Sequence, residues 1–291
     1  MTLAHEILVG GGTGKVGNML AGRLAARGAD AAILSSRGPA AAGEMGPLPA
    51  VHADLTDPDS LVRAFRGADR LFLVTPNGPD EARMGRNALD AAAAAGIDKI
   101  VYLGVQHMDS FDVIPHVAAK RPVLDRLAAW PRHTVLAPNF FFQNDIPLLP
   151  AIRDHGVYPL PVGPVGVHAV DVADIAEAAE TALFTDDWTG RVVALAGDQC
   201  LTGEAIAAIW ADALGRHVAY GGDDVDNWIA ALRAQVPVSD WFANDLAIMM
   251  REVQVRGYPA NDRDLADTHA ILGRAPTRYA DFVQRTLAAR S

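Results

Sequence analysis

Cysteine is nearly absent from this 291-residue chain, in which Cys200 stands alone. One thiol excludes an internal disulfide and a cysteine-only metal cage, so a small buried or half-buried side chain is expected there, with no metal site. The expected compartment is the cytoplasm. Positive charge is scarce too: 25 Lys and Arg face 35 Asp and Glu, for a formal net charge of −10. Phosphate backbones and anionic lipids are bound through clustered cations, so nucleic acid is not an expected partner. No apolar run reaches the roughly 18 residues that cross a bilayer, and the start of the chain, through Thr2, Leu3, Ala4, His5 and Glu6, carries no signal-peptide pattern. The expectation is therefore a protein without a membrane anchor. The Gly-x-Ser-x-Gly elbow, the His-Glu-x-x-His pair and the Walker lysine motif are missing as well, which leaves hydrolase, zinc-protease and P-loop chemistry without support.

What is present suits a globular enzyme. A chain of this length removes roughly three quarters of its unfolded surface from water, so one large domain, or one domain with a smaller lobe, can stand without staples. The first 140 residues alternate short apolar runs with longer alanine-rich stretches of helical period, the pattern of a parallel sheet covered on both faces. Strands are expected near Glu6 to Gly10, Ala31 to Ser35, Ala50 to Ala53, Arg70 to Thr75, Ile97 to Gly104 and Thr134 to Ala137, with helices in the gaps. The third helix has a clean start: Asp57 caps, Pro58 suits the first position, and Asp59 sits at the positive end of the dipole. Another runs from Asp80 to Ala95 and stops at Gly96. Beyond Phe142, Pro147, Pro150, Pro159, Pro161 and Pro164 break the chain into loops and extended pieces. A helix over Val172 to Phe184 and a strand over Arg191 to Ala196 follow. Further helices are expected near Gly203 to Leu214, Val225 to Gln235, Asp240 to Arg256 and Tyr279 to Ala288. The fold class is α/β, a doubly wound parallel sheet of Rossmann type with a smaller, mainly helical C-terminal lobe. The expected division is a nucleotide-binding core over 1–145 and a substrate-binding lobe over 146–291, with about 165–200 returning to the core.

The segment Ile7-Leu8-Val9-Gly10-Gly11-Gly12-Thr13-Gly14-Lys15-Val16-Gly17 sets a glycine-rich turn between an apolar strand and an amphipathic helix. That context distinguishes a dinucleotide fingerprint from chance glycines. Gly11 would permit the tight turn, Gly14 would let backbone approach a pyrophosphate, and Gly17 would let helix and strand pack closely, with the helix N-terminus facing the phosphates. The end of the second strand lies beside the adenosine ribose, where a carboxylate accepts the 2′-hydroxyl of NAD and a cation accommodates the 2′-phosphate of NADP. Here the chain reads Ser35-Ser36-Arg37, with no acidic residue between Ala31 and Gly43. NADP(H) is expected over NAD(H); a solvated loop cation is the competing role for Arg37. Asp54 has two competing roles, helix-start stabilisation and a contact to the adenine amine.

The spacing Gly-x-x-Gly-x-x-Gly resembles that of the NmrA-like group of atypical short-chain dehydrogenase/reductases. The resemblance continues through Ala53-Asp54-Leu55-Thr56-Asp57, Phe72-Leu73-Val74-Thr75-Pro76, Lys120-Arg121-Pro122-Val123-Leu124-Asp125, and Leu136-Ala137-Pro138-Asn139-Phe140-Phe141-Phe142-Gln143-Asn144. It closes with Val170-Asp171-Val172-Ala173-Asp174-Ile175-Ala176 and Ile271-Leu272-Gly273-Arg274-Ala275-Pro276. Residues 215 to 270 carry least of it. The resemblance implies cofactor contacts at Gly11, Thr13, Gly14, Lys15, Val16, Gly17, Ser36 and Arg37, and at Asp54, Leu55, Thr75, Pro76 and Asn77. It extends them to Gly104, Val105, Lys120, Pro138, Asn139 and Phe140.

Lysine usage is a separate hint, because the chain has 22 arginines and only Lys15, Lys99 and Lys120. Arginine serves equally as a surface cation, whereas a compact ammonium donating to ribose hydroxyls is not replaceable by guanidinium. An ordinary helix-surface lysine is the competing role for Lys120. The Tyr-x-x-x-Lys pair of ordinary short-chain dehydrogenases is absent. His116 occupies the tyrosine's place, and i, i+4 spacing puts it on the face of Lys120, where it can donate a proton to a substrate atom as hydride arrives. Its competing role is a plain helix start after Pro115. His107, Met108 and Asp109 follow the fifth strand, as pocket lining or as an exposed loop. For Trp228, Trp241, Phe242, Met249 and Met250, core packing is the default. The leading expectation is an NADPH-dependent reductase, monomeric or homodimeric, delivering hydride to a small, mostly apolar electrophile such as an enone, quinone, imine or aryl ether precursor. The alternative is a non-catalytic NAD(P)-binding regulator that passes redox state to a protein partner.

Overall fold

The computed structural model of the chain describes residues 5–38 and 46–289. In chain order its elements are β1 Ile7–Val9, α1 Lys15–Ala26, β2 Ala31–Ser35, β3 Ala50–His52, α2 Pro58–Phe65, β4 Arg70–Leu73, α3 Glu81–Ala95, β5 Lys99–Leu103, α4 Pro115–Leu127 and β6 Arg132–Pro138. There follow α5 Leu149–His155, β7 Val157–Tyr158, α6 Val172–Phe184, β8 Arg191–Leu195, α7 Gly203–Leu214, β9 Ala219–Tyr220, α8 Val225–Gln235, α9 Asp240–Arg256, α10 Asp262–Leu272 and α11 Tyr279–Ala288. The gap between β2 and β3, where a helix is expected, includes 39–45, which lie outside the described residues. The chain divides into two compact units. The first runs to Ser110 and adds His116–Ala137 and Val172–Val193; the second holds Phe111–Pro115, Pro138–Asp171 and everything from Ala194 on.

The first unit is built on a seven-stranded sheet of order β3-β2-β1-β4-β5-β6-β8, parallel from β3 through β6. Strand order reverses between β1 and β4, because the chain winds outward through β2 and β3 and then crosses back. In such sheets the crevice at the carboxyl ends beside this reversal is where ligands bind. Strand side chains alternate between faces: Leu8, Ala32, Leu34, Leu71, Leu73, Ile100, Tyr102 and Val135 join one core with Leu61 and Phe65 of α2, Leu89 of α3, and Val123 and Leu127 of α4. On the other face α1 and α6 pack together and against the strands. Small alanines at 176, 178, 179 and 182 form much of the buried face of α6, and Arg23 of α1 reaches its Glu180 at 2.7 Å.

Local chemistry places the ends of these elements. Asp57 accepts from the backbone N–H groups of Asp59 and Ser60 ahead of Pro58, as expected, a cap that stabilises α2 by about 1 kcal/mol. Gly96, in the left-handed region at φ 75°, ends α3.

The second unit is mainly helical, with β7 and β9 paired as a short parallel ribbon. Three features differ from expectation. The proline-rich stretch after Phe142 contains a 3-10 segment, Phe142–Leu148, and the helix α5. A further helix, α10, lies in the least recognisable part of the sequence. Cys200 is exposed, its Sγ donating to the Val165 carbonyl at 3.5 Å, because it lies on a surface turn before α7 instead of inside the core. Of the large apolar residues on α8 and α9, Met250 is buried, while Trp228, Trp241, Phe242 and Met249 are only half-buried. Around Asp145, the hydroxyls of Tyr158 and Tyr279 both donate to its carboxylate, and Trp210 Nε1 donates to Tyr279 Oη at 2.8 Å. No helix among the described residues is long and apolar enough to cross a membrane.

Candidate functional site

The carboxyl ends of β1, β2, β3, β4 and β5 bring together most of the residues singled out in the sequence. The glycine turn follows β1, Ser36 and Arg37 follow β2, Asp54 and Leu55 follow β3, Thr75, Pro76 and Asn77 follow β4, and Gly104 and Val105 follow β5.

The glycines of the turn have distinct physical reasons. Gly11 takes φ 64°, which a side chain resists. A Cβ on Gly12 would lie 2.5 Å from the Ile33 side chain on β2, and one on Gly10 would lie 3.0 Å from the Phe72 carbonyl on β4. Gly17 packs against the turn itself, not the strand: its Cβ would sit 2.2 Å from the Gly11 oxygen. Gly14 is different. Its backbone is ordinary, φ −88° and ψ 175°, and an added Cβ would meet just the Gly11 oxygen, at 3.2 Å. Gly14 is the N-cap of α1, with no side-chain cap bond and no acidic residue in the first turn. The Cβ contact asks the Gly11 oxygen to give by only a few tenths of an ångström, whereas a pyrophosphate against the positive end of α1 would exclude a side chain outright.

Arg37 is exposed, and its N–H bonds Ser35 Oγ at 3.1 Å, which turns the chain at the end of β2. Asp54 Oδ1 accepts from the Thr56 amide at 2.8 Å and hydroxyl at 2.7 Å; these bonds, the amide first, hold its carboxyl below the usual range. Leu55 lends its carbonyl to the Asn87 side chain at 2.9 Å. Gly104 bonds the Leu136 carbonyl through its N–H at 2.8 Å, and Val105 is half-buried. Just beyond, His107 is the one non-glycine residue with positive φ, 50°, among the described residues; Met108 is buried, and Asp109 is exposed and paired with Arg121. Pro138, Asn139 and Phe140 belong to the second unit. There Asn139 is buried, donating to the Tyr258 carbonyl at 2.8 Å and accepting from the Phe140 N–H at 2.7 Å.

Lys120 is no surface lysine. It is 5 % exposed, and its Nζ donates to Glu81 Oε1 and, at 3.3 Å, to Asn77 Oδ1. His116 is also buried, one turn earlier on α4. Thr75 Oγ1 donates to Glu81 Oε1 at 2.7 Å and lies 3.1 Å from the Tyr102 hydroxyl. The single Thr75 proton is taken by the carboxylate, so Tyr102 is the donor in that second bond. Burial holds the Tyr102 phenol well above its ordinary range.

The chain as a whole has counterparts among known proteins. The chain matches the NmrA-like family over residues 4–250. The chain belongs to that family. This NmrA-like chain is 33% identical over 238 residues to a (4-alkanoyl-5-oxo-2,5-dihydrofuran-3-yl)methyl phosphate reductase of Streptomyces griseus, covering 79% of this chain and 82% of the relative. It is 28% identical over 242 residues to an NAD(P)H azoreductase of Xenophilus azovorans, covering 81% and 82%. Its fold is similar to that of an NADPH-dependent quinone oxidoreductase of Escherichia coli crystallised with NADPH, at a TM-score of 0.84 and 25% identity over 97% of this chain and 99% of that one.

Glu81 and Tyr102, which sequence reasoning passed over, join this NmrA-like site through Lys120 and Thr75. A weak signal was available for Glu81. It stands one helical turn before Gly85, and a Cβ on Gly85 would lie 2.3 Å from Val123 of α4, so a small residue marks where α3 and α4 approach.

Proposed function

We propose that this protein is an NADPH-dependent reductase that adds hydride to a conjugated, polarised double bond of a small, mostly apolar acceptor. The observation that carries the reading is Gly14, a glycine at an uncapped helix start where the chain itself sets only one tight contact against a side chain. The residues fit the cofactor: the glycine turn and α1 take the pyrophosphate, and Arg37, in place of an acidic residue, takes the 2′-phosphate. Lys120 keeps one N–H beyond those given to Glu81 and Asn77, suited to a ribose hydroxyl. Bound there, NADPH supplies the hydride. The chain contributes orientation and a proton, and His116, on the face of Lys120, is the proton donor of this reading.

The relatives support the acceptor class. A butenolide bearing a methyl phosphate, an azo compound and a quinone are the substrates named for them. All three contain a π bond that can take up a hydride and a proton. The test is loss of reduced-nicotinamide absorbance when the purified protein meets NADPH with a quinone, an azo dye or an alkanoyl butenolide. Turnover of at least one class is expected, with NADPH preferred to NADH. Tight NADPH binding without turnover on any of them would overturn the reductase reading in favour of a cofactor-sensing regulator.

A further inference from the structure

Glu81 has no part in the function just described, yet the site is organised around it. It is the first residue of α3 and fully buried. Its Oε1 receives both the Lys120 ammonium and the Thr75 hydroxyl, while Oε2 is buried with no hydrogen-bond partner. We propose that Glu81 is a positioning residue that acts through Lys120, fixing the point at which the ammonium meets the cofactor. The proposal rests on the reading of Lys120 as a cofactor-holding residue.

The geometry makes Glu81 the middle of an ordered chain: Tyr102 donates to Thr75, Thr75 donates to Glu81, and Glu81 holds Lys120. Each donor has one direction to point in, so the carboxylate cannot swing away without breaking the Thr75 bond. Backbone spacing enforces the same register. Gly85 lets α3 approach Val123 of α4, and Glu81 and Lys120 lie about one turn before those two contact points. Stability alone gives a poor account of the pair. Buried ion pairs contribute little net, and an unpaired buried carboxylate oxygen costs about 1–3 kcal/mol. What the arrangement yields is a lysine whose head group is held before any ligand arrives. A Glu in the first turn of α3 also favours the helix dipole, a purely structural role that the test must separate.

With only three lysines, the side-chain ammonium groups of 15N-lysine-labelled protein can be observed individually by NMR without cofactor. Lys99 is the internal control, because its Nζ is buried against the Ala182 carbonyl at 3.2 Å and the Thr185 carbonyl, at the end of α6. In the parent protein the Lys99 and Lys120 signals are expected to persist against exchange with water, while exposed Lys15 exchanges out. Glu81→Gln keeps the shape and removes the charge. It is expected to lose the Lys120 signal, keep that of Lys99, and lower kcat about a hundredfold, the scale of a misplaced group, with little change in KM for a quinone. A persistent Lys120 signal with unchanged kcat in Glu81→Gln would overturn the positioning role. Lys120→Met separates the two ideas: full turnover in that variant would overturn the reading of Lys120 itself. Should the Lys99 signal vanish in Glu81→Gln, Thr75→Val decides. Loss of the Lys120 signal there supports the proposal, and an unchanged signal and kcat overturn it.

Discussion

Two glycines three residues apart, Gly14 and Gly17, should respond to the same substitution for different physical reasons. In Gly17→Ala the new Cβ would lie 2.2 Å from the Gly11 oxygen, a backbone atom already fixed as acceptor of the Gly14 N–H at 2.7 Å. Either the turn or the start of α1 must move by about 1 Å, an overpacking cost of about 1–3 kcal/mol. For a protein of this size that lowers Tm by roughly 2–12 °C, and NADPH binding falls with the displaced turn. In Gly14→Ala the Cβ meets one atom at 3.2 Å, and φ and ψ need not change. Alanine is a poorer N-cap than glycine, so a loss of at most about 1 kcal/mol, or roughly 2–4 °C, is expected. The methyl group nevertheless occupies the side from which a pyrophosphate would approach. Losing one hydrogen bond to a charged group, about 1.5–3 kcal/mol, weakens NADPH affinity roughly ten- to hundredfold. Thermal unfolding without cofactor, paired with calorimetric titration of NADPH, reads both quantities. A Gly14→Ala protein that binds NADPH as tightly as the parent would refute the reasoning, since the glycine would then serve only the turn.

Arg37→Asp should weaken NADPH far more than NADH, because a repelling carboxylate replaces the expected partner of the 2′-phosphate; equal losses in parallel titrations would show that Arg37 does not read that group. Lys99→Met should destabilise the protein by about 2–5 kcal/mol in urea unfolding, because the Ala182 and Thr185 carbonyls lose their buried donor; unchanged stability would mean those carbonyls find other partners. Burial is the leading cause that raises all five tyrosine phenols, Tyr102, Tyr158, Tyr220, Tyr258 and Tyr279, above the ordinary 10.0. Their contribution to stability is therefore complete below pH 10 and declines as pH rises beyond it, because the unfolded chain releases phenol protons that the folded one keeps. A phenol ionising near pH 10 in the folded protein, seen by phenolate absorbance, would contradict this.

How much could be read from residues alone varied with the physics of each segment. The Ile7-Leu8-Val9 strand and its glycine turn were legible because both backbone constraints and burial act within a few neighbouring residues. So was the start of α2, since Asp57 and Pro58 act locally. Helix α10 was not, because its buried face consists of Asp264, Thr268, Ile271 and Leu272. The spacing is helical but half of the stripe is polar, and Thr268 is accommodated by bonding Asp264 in its own helix and Ala194 and Ala196 near β8, some seventy residues away in sequence. Lys120 stood out by composition, and its burial agrees with that argument. Lys99 satisfies the same compositional argument for a different reason, as a cap on the end of α6. Glu81 gave little signal because an acidic residue in a first helical turn is ordinary, and its charged partner, Lys120, comes from α4, far along the sequence.

The burial of two of the three lysines has a practical consequence. Amine-reactive crosslinkers, dyes and activated resins would find Lys15 as the one exposed lysine side chain among the described residues, and Lys15 is the first residue of α1, directly after the glycine turn. Coupling there would fasten the protein beside the turn proposed to hold the cofactor. Exposed Cys200 is the one thiol of the sequence, so a maleimide resin would tether every molecule through the same residue and leave Lys15 unmodified.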